Sequence, residues 1–303
     1  MKISAKNWSL SVKLNALITL IAIIVFTALG FIISSNAKSQ VQEEKRISLT
    51  RDVIFFRDLL EERIKELQRK ASSNAKNLII INELEKKNYT QSNILAQELF
   101  KSVQYLEAAF ITNADGIVVA SMNITGKSFN GLDIKKFSFW KAVQKKKVYT
   151  DDLPYKSPVS RHPTFVTGSA IYNSEGKFLG IIALPADLER IYEEFLDKKI
   201  GKTGYMVLFD AKGRFLTHPQ KKIILKDFSN LNFVQKILKN SKTSGSMKYT
   251  FQGIDKFLSF AKLKTVPWNL ITLVEMSDIL AVSHSLTRII LISGIASTIL
   301  LVL

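Results

Sequence analysis

Ala108-Ala109-Phe110-Ile111-Thr112-Asn113-Ala114-Asp115-Gly116-Ile117-Val118-Val119-Ala120-Ser121 sets β-branched and aromatic residues on both sides of an Asn-Ala-Asp-Gly turn whose glycine can take positive φ. The pattern predicts a β-hairpin. A second hairpin of the same construction is predicted from Thr167 to Leu184, turning at Asn173-Ser174-Glu175-Gly176. Between them, Ile134 to Val143 reads as a short helix with Phe137, Phe139 and Trp140 crowded within four positions, followed by a polar loop stiffened by Pro154, Pro158 and Pro163. That helix and loop fall where the open face of a sheet would be covered.

The first hairpin recurs downstream. Val207 to His218 aligns with Phe110 to Ser121 without a gap, and both copies place Asn or Asp three residues before the turn glycine (Asn113 and Gly116; Asp210 and Gly213). Leu188, Ile191 and Phe195 mark a helix that begins near Asp187 and ends before Gly201, and Leu231, Val234, Ile237 and Leu238 give a covering helix to the second copy. Strands are predicted at Gly245 to Gln252 and Trp268 to Val274, around an apolar segment from Phe257 to Leu263. The repeat of roughly 90 residues makes each half an antiparallel sheet flanked by helices, an α+β arrangement of two similar modules behind a long N-terminal helix.

Upstream, no Gly or Pro occurs from Phe31 to Asp115, which permits one long helix or two continuous ones. Val53, Phe56, Leu60, Ile64, Leu67, Ala71, Ala75 and Leu78 recur at spacings of three and four as an apolar stripe, with Arg57, Glu61, Glu62, Lys65 and Lys70 on the side expected to be wet. The stripe has two candidate partners, its own sheets and a second copy of itself in a homodimer.

Two apolar runs flank this region. Leu14 to Ile33 has no charge over about 20 residues, enough to cross ~30 Å of hydrocarbon at ~1.5 Å per residue. It exceeds the ~7 to 15 residues of a signal-peptide core, so an uncleaved anchor is expected. Ile289 to Leu303 is a second uncharged run, read as a transmembrane helix that is cut short. Lys2, Lys6 and Lys13 place the N-terminus in the cytoplasm by the positive-inside rule, and the intervening segment outside it. The expected organisation is a cytoplasmic start at 1–13, a first membrane helix at 14–35, a globular region at 36–278 and a second membrane helix at 279–303. The globular region divides into a long helical part (36–100), a membrane-distal module (101–199) and a membrane-proximal module (200–278).

Composition narrows the function classes. The 303 residues contain no cysteine, which excludes disulfides, Cys-ligated zinc and thiol catalysis. The net charge of +17 comes mainly from lysines scattered along the chain, without the Arg-rich or aromatic-interleaved faces of nucleic-acid readers, so no nucleic-acid partner is expected. His162, His218 and His284 fall in no metal-ligand spacing, and neither a Gly-rich phosphate loop nor a nucleophile elbow is present. No cofactor and no catalysis are expected.

The candidate binding residues cluster in the first module. Phe139 and Trp140 read as pocket walls or as core. Tyr149, Asp151, Asp152 and Tyr155 could receive an amine from a loop or simply face solvent, Arg161 could hold a carboxylate, and Thr167 and Ser169 could offer hydroxyls from a strand.

Ile200-Gly201-Lys202-Thr203-Gly204-Tyr205, with Phe209-Asp210-Ala211-Lys212-Gly213, Thr217-His218-Pro219 and Val266-Pro267-Trp268-Asn269-Leu270, resembles the membrane-proximal half of double Cache sensor domains. The hairpin, the aromatic helix and the stretch from Gly180 to Leu188 resemble the distal half, so the resemblance covers about Asn36 to Asp278. It implies two PAS-like modules forming the extracytoplasmic sensor of a bacterial or archaeal receptor in the inner membrane, most like the methyl-accepting chemotaxis proteins, with a small ligand in the distal module. Sensor kinases, cyclic-nucleotide enzymes and a tethered binding module without a transmitter are the alternatives. Many family members bind an amino acid through an Arg ahead of the helix aromatics, which holds the carboxylate, and an Asp after the Gly-Val-Val-like strand, which holds the amine. Here Phe137 or Ser138 and Pro185 stand in those places. The resemblance leaves Tyr149 and Asp151 at the aromatic and acidic pocket positions. The ligand implied is an amine-bearing or zwitterionic metabolite, or a carboxylate held by Arg161.

Overall fold

The structure is a computed structural model that describes residues 9–196 and 200–281, with further helical positions at 288–289, 292–293 and 296. Helix α1, Leu10–Asn74, starts at Ser9, whose hydroxyl accepts from the Val12 N–H at 3.4 Å. In its first part the apolar side chains touch little of the chain: Leu14 is 56% and Phe31 77% exposed. In its second part Val53, Phe56, Leu60, Ile64, Leu67, Ala71 and Ala75 are buried against the sheets. Burying each of the larger side chains contributes ~1.5–3 kcal/mol, so this stripe is what seats the helix.

The glycine-free segment is three helices, not one or two. α2, Leu78–Lys86, and α3, Thr90–Lys101, follow α1 through breaks that need neither Gly nor Pro. The Asn77 side chain caps α2 by accepting from the Ile79 N–H at 2.9 Å, and Lys87 ends α2 with φ 56°. The buried Glu83 carboxylate then accepts from Gln91 N–H (2.7 Å), Ser92 N–H (2.7 Å) and the Ser92 hydroxyl (2.8 Å), closing the corner onto α3. Leu78 consequently drops out of the stripe and is exposed. Arg57 and Glu61, expected on the wet side, are buried: they grip the second module instead.

The distal module comprises β1 (Ala108–Thr112), β2 (Val118–Asn123), α4 (Ser138–Lys146), β3 (Val148–Thr150), β4 (Tyr155–Lys156), β5 (Pro163–Tyr172), β6 (Phe178–Asp187) and α5 (Leu188–Leu196). The helix predicted from Ile134 starts only at Ser138: Phe137 before it is extended (φ −82°, ψ 137°), and Ile134 N–H is tied to the Gly116 carbonyl at 2.9 Å. The α5 stripe residue Phe195 has a side chain outside the described set. The proximal module comprises β7 (Tyr205–Phe209), β8 (Phe215–Thr217), α6 (Asn232–Lys239), β9 (Ser244–Phe251), β10 (Ile254–Lys262) and β11 (Asn269–Glu275). The apolar segment from Phe257 to Leu263 is thus mostly strand β10.

Both sheets are antiparallel and share one strand order, β2-β1-β6-β5-β3 and β8-β7-β11-β10-β9, with β4 an addition beside β5. The repeat extends to register. Ile111 pairs with Ala120 and Thr112 with Val118 across a bulge; the aligned Leu208 pairs with Thr217 and Phe209 with Phe215 across the same bulge. The turns also match, since the Asn113 side chain accepts from Asp115 and Ile117 N–H groups and that of Asp210 from Lys212 and Arg214. In the distal sheet Gly180 has φ 154°, and a Cβ there would stand 1.9 Å from the Thr112 carbonyl oxygen.

α1 covers one face of both sheets. Its Gln68 donates to Thr150 at 3.1 Å on the distal sheet, and Thr50 meets Ser259 at 3.2 Å on the proximal one. The opposite faces carry α4 and α6 over separate cores, one around Phe110, Trp140 and Val166 and the other around Phe209, Phe233 and Phe260. Among the described residues α1 is one helix long and apolar enough to cross a membrane. The second run, Ile289 to Leu303, lies largely outside the described residues, as does His284.

Candidate functional site

Side chains on a strand alternate faces, and the distal face turned away from α1 is where space remains. A cavity of about 430 Å3 opens there. Phe110 from β1, Val166 from β5 and Pro185 from β6 form its floor. Phe129, Leu132, Ile134, Phe137 and Phe139 form one wall, and the segment Tyr155 to Val159 the other. The aromatics hold one another edge-on, Phe110 to Phe129 at 5.6 Å and Phe110 to Phe139 at 6.4 Å. The result is an apolar container with few polar groups.

Glu107 is the buried acid among them. It lies just before β1, where its backbone bonds to Pro185 (2.9 Å) and Ile124 (2.9 Å) fix it in the sheet. Its carboxylate accepts from the Ser157 hydroxyl, from Ser160 N–H at 3.2 Å and from the Thr164 hydroxyl at 2.6 Å. The charge is therefore met by dipoles. A carboxylate has about four acceptor positions, so Oε2, with one donor, retains capacity for a donor from a ligand. Lys156, exposed, and Asn123 supply further polar groups at the lining.

Of the nine residues singled out in the sequence, Phe139 and Tyr155 line this cavity. Trp140 is a buried residue of α4 outside the lining, edge-on to Phe178 at 5.6 Å and close to the turn at Gly116. The Tyr149 ring lies under Lys146 Nζ at 4.7 Å, and its hydroxyl donates to Asp152 at 3.2 Å. Burial, then the charges of Asp151 and Asp152, push that phenol up to about 12. Asp151 is buried and accepts from Leu153 N–H at 3.2 Å, and burial raises its carboxyl above the ordinary range. Thr167 is not on the cavity face: its hydroxyl meets that of Thr150 at 3.0 Å, on the side of Gln68 and α1. Ser169, two residues on, shares that face. Arg161 is an exposed turn residue with φ 66°, ahead of β5 and not in the lining. The structure thus separates a cavity set from a loop set, and Asp151, Asp152 and Arg161 do not converge with the aromatics on one space.

Glu107, Phe110, Phe137 and Pro185 are lining residues that the sequence did not single out for binding. For Glu107 a signal existed, a lone acid inside the apolar run Tyr105-Leu106-Glu107-Ala108-Ala109-Phe110-Ile111.

Two modules of identical strand order, threaded behind one long helix and each hollowed on the face away from it, define a tandem sensor-domain architecture. The chain belongs to the double Cache family, whose Cache-domain model matches residues 33–283. Solved structures share the fold. The ligand-binding domain of the Campylobacter jejuni chemoreceptor Tlp3, in complex with 4-methylisoleucine, superposes with a TM-score of 0.64 at 15% identity, covering 79% of this chain and 94% of that one. The ligand-binding domain of Mlp24 with asparagine gives 0.61 at 16% identity, over 82% and 99%. That of the Pseudomonas fluorescens chemoreceptor CtaA with L-isoleucine gives 0.60 at 16%, over 81% and 98%. No curated protein matches the sequence.

Proposed function

We propose that this chain is the ligand-sensing and membrane-anchoring region of a transmembrane receptor, with residues 36–278 outside the cytoplasm and a small metabolite bound in the distal cavity. The ligand class follows from the cavity. Its body is apolar, to match Phe110, Phe139 and Val166; it carries an amine, which meets the open acceptor position of Glu107, and a carboxylate on it would face Lys156. An amino acid with an apolar side chain has this form, in keeping with the L-isoleucine named for one similar solved domain; the asparagine named for another shares only the amine and carboxylate. Chemotaxis is the output we favour, because the solved domains of this fold named above include chemoreceptors.

The observation that carries the reading is the buried Glu107 carboxylate in a mostly apolar cavity. Calorimetry of the purified chain in detergent micelles against isoleucine, leucine, phenylalanine and their decarboxylated amines tests it. At least one of these binds, Glu107→Gln weakens it at least tenfold, and Phe139→Ala weakens it by a similar factor. A ligand that binds wild type and both variants equally would place the site elsewhere. So would one bound equally well without its amine.

A further inference from the structure

The proximal module carries a second cavity, of about 390 Å3, on the same side of its sheet as the first. Val207, which aligns with Phe110 in the repeat, lines it as Phe110 lines the distal one. The chemistry is reversed. Among the described residues no acid lines it; Lys256, His218, Tyr205, Tyr249, Gln220 and Gln252 bring the polar groups. Gln220 N–H donates to His218 Nδ1 at 2.8 Å, so the neutral imidazole carries its proton on Nε2 and has that donor left to offer. The ring is held edge-on by Tyr205 at 5.2 Å and stacked by Phe215 at 6.0 Å. Burial, and then the charge of Lys256, lower its pKa and keep it neutral. Lys256 itself stands 5.8 Å over the Tyr205 ring. Its cross-strand neighbour Glu275 accepts from the Ser277 hydroxyl at 3.3 Å.

We propose that this cavity is a second ligand site, distinct from the distal one, which takes a small monocarboxylate with an aliphatic or aromatic body. Lys256 and the His218 Nε2–H receive the carboxylate, and Phe215, Phe233 and Ile271 pack the body. A cation and a neutral donor beside an apolar wall suit an anion that has one charged end. The distal cavity, with Glu107 as well as Lys156, suits a zwitterion better than a lone anion, so the two sites sort ligands by charge. The inference does not depend on what occupies the distal site.

The test titrates the purified chain in detergent micelles with propionate, 3-methylbutanoate, benzoate and phenylacetate, and with benzamide as the uncharged counterpart. At least one acid is expected to bind, with benzamide at least tenfold weaker. Lys256→Gln should weaken the acid tenfold or more, Lys256→Arg should restore most of the affinity, and Phe139→Ala should leave it unchanged. Thermal unfolding of each variant confirms that the fold is retained. Absence of binding by all four acids, equal binding by Lys256→Gln, or loss of binding in Phe139→Ala would each overturn the proposal. Because the last variant reports only on the distal cavity, failure here is separable from failure of the amine site.

Discussion

The indole N–H of Trp268 donates to the carbonyl oxygen of Asp152 at 2.8 Å, tying the proximal module to the loop that leads into the distal cavity. Trp268 has no exposed surface and stands edge-on to Phe165 of β5 at 5.2 Å. Two residues beyond Asp152, the Pro154 carbonyl accepts from Arg214 at 3.4 Å, and Tyr155 then lines the cavity. A shift of this loop on ligand binding would therefore be felt at β11, four residues before which Thr265 meets Glu61 of α1. Coupling of this kind needs an element that both ends bias, and the loop from Asp151 to Tyr155 is the physical candidate.

Trp268→Phe keeps a ring against Phe165 but leaves the Asp152 carbonyl without its donor. An unmet buried acceptor costs about 1–3 kcal/mol. In a domain of this size that lowers the melting temperature by about 2–4 °C per kcal/mol. Affinity in the distal cavity should fall as well, although residue 268 does not line it. Thermal unfolding followed by calorimetry checks both. An unchanged melting point together with unchanged affinity would show that the loop is positioned from within its own module.

The hairpins, the repeat and the α1 stripe were legible because each is written in short-range terms: Asn or Asp three residues before a turn glycine, and apolar residues at helical spacing. What was not legible has a common cause in burial from both sides. β5 is covered by α1 on one face and by α4 on the other, so Thr164 to Ile171 is one run buried throughout, with hydroxyl and small side chains mixed among the apolar ones. The alternation that puts Val166 on the cavity and Thr167 on the helix does not show in that run. β10 was hidden in the same way, as an apolar segment whose period is ambiguous. The helix breaks at Asn77 and Lys87 were missed because a side-chain cap and one left-handed lysine replace Gly and Pro there. Asp151 and Asp152 drew attention as exposed loop acids, whereas the acid on the cavity is Glu107, beside a strand.

The charged residues on α1 fasten it to the proximal module. The Glu61 carboxylate accepts from the backbone N–H groups of Lys264 and Thr265, the latter at 3.0 Å, and from the Thr265 hydroxyl, while Arg57 donates to the Lys262 carbonyl at 3.4 Å. Glu61→Ala strands those donors and is expected to cost about 1–3 kcal/mol. Glu61→Gln keeps an acceptor oxygen and should cost markedly less. Denaturant unfolding distinguishes them, and equal losses would mean that the contact acts through charge alone.

Burial raises the phenols of Tyr149, Tyr192, Tyr205 and Tyr249, that of Tyr149 to about 12. A raised acid holds its proton longer when folded than when unfolded. Its contribution to stability is thus complete below the unfolded value near 10 and is lost as pH climbs toward the folded value. The fold should weaken progressively above about pH 10. Tyrosinate absorbance for these residues should appear together with the loss of helical circular dichroism. A smooth titration centred near pH 10 with the helix signal intact would contradict the burial of these rings.

The face that α1 presents to its own sheets constrains any second copy. Leu49, Val53, Phe56 and Leu60 are buried within the chain, so a homodimer built along α1, the second partner that the sequence offered for this helix, must use the far side. There Ile47 and Phe55 are both 51% exposed, and Arg51 lies between them at the same four-residue interval. Two such helices pairing side by side would repeat their contacts every ~3.5 residues. The absence of cysteine allows single cysteines to be introduced one at a time without background. Oxidation in the membrane should then give crosslinked dimers at positions 47, 51 and 55 and little at 49, 53, 56 and 60. A profile without that period would remove α1 as the dimer contact, and one peaking at the buried positions would mean that the helix leaves its own sheets to pair.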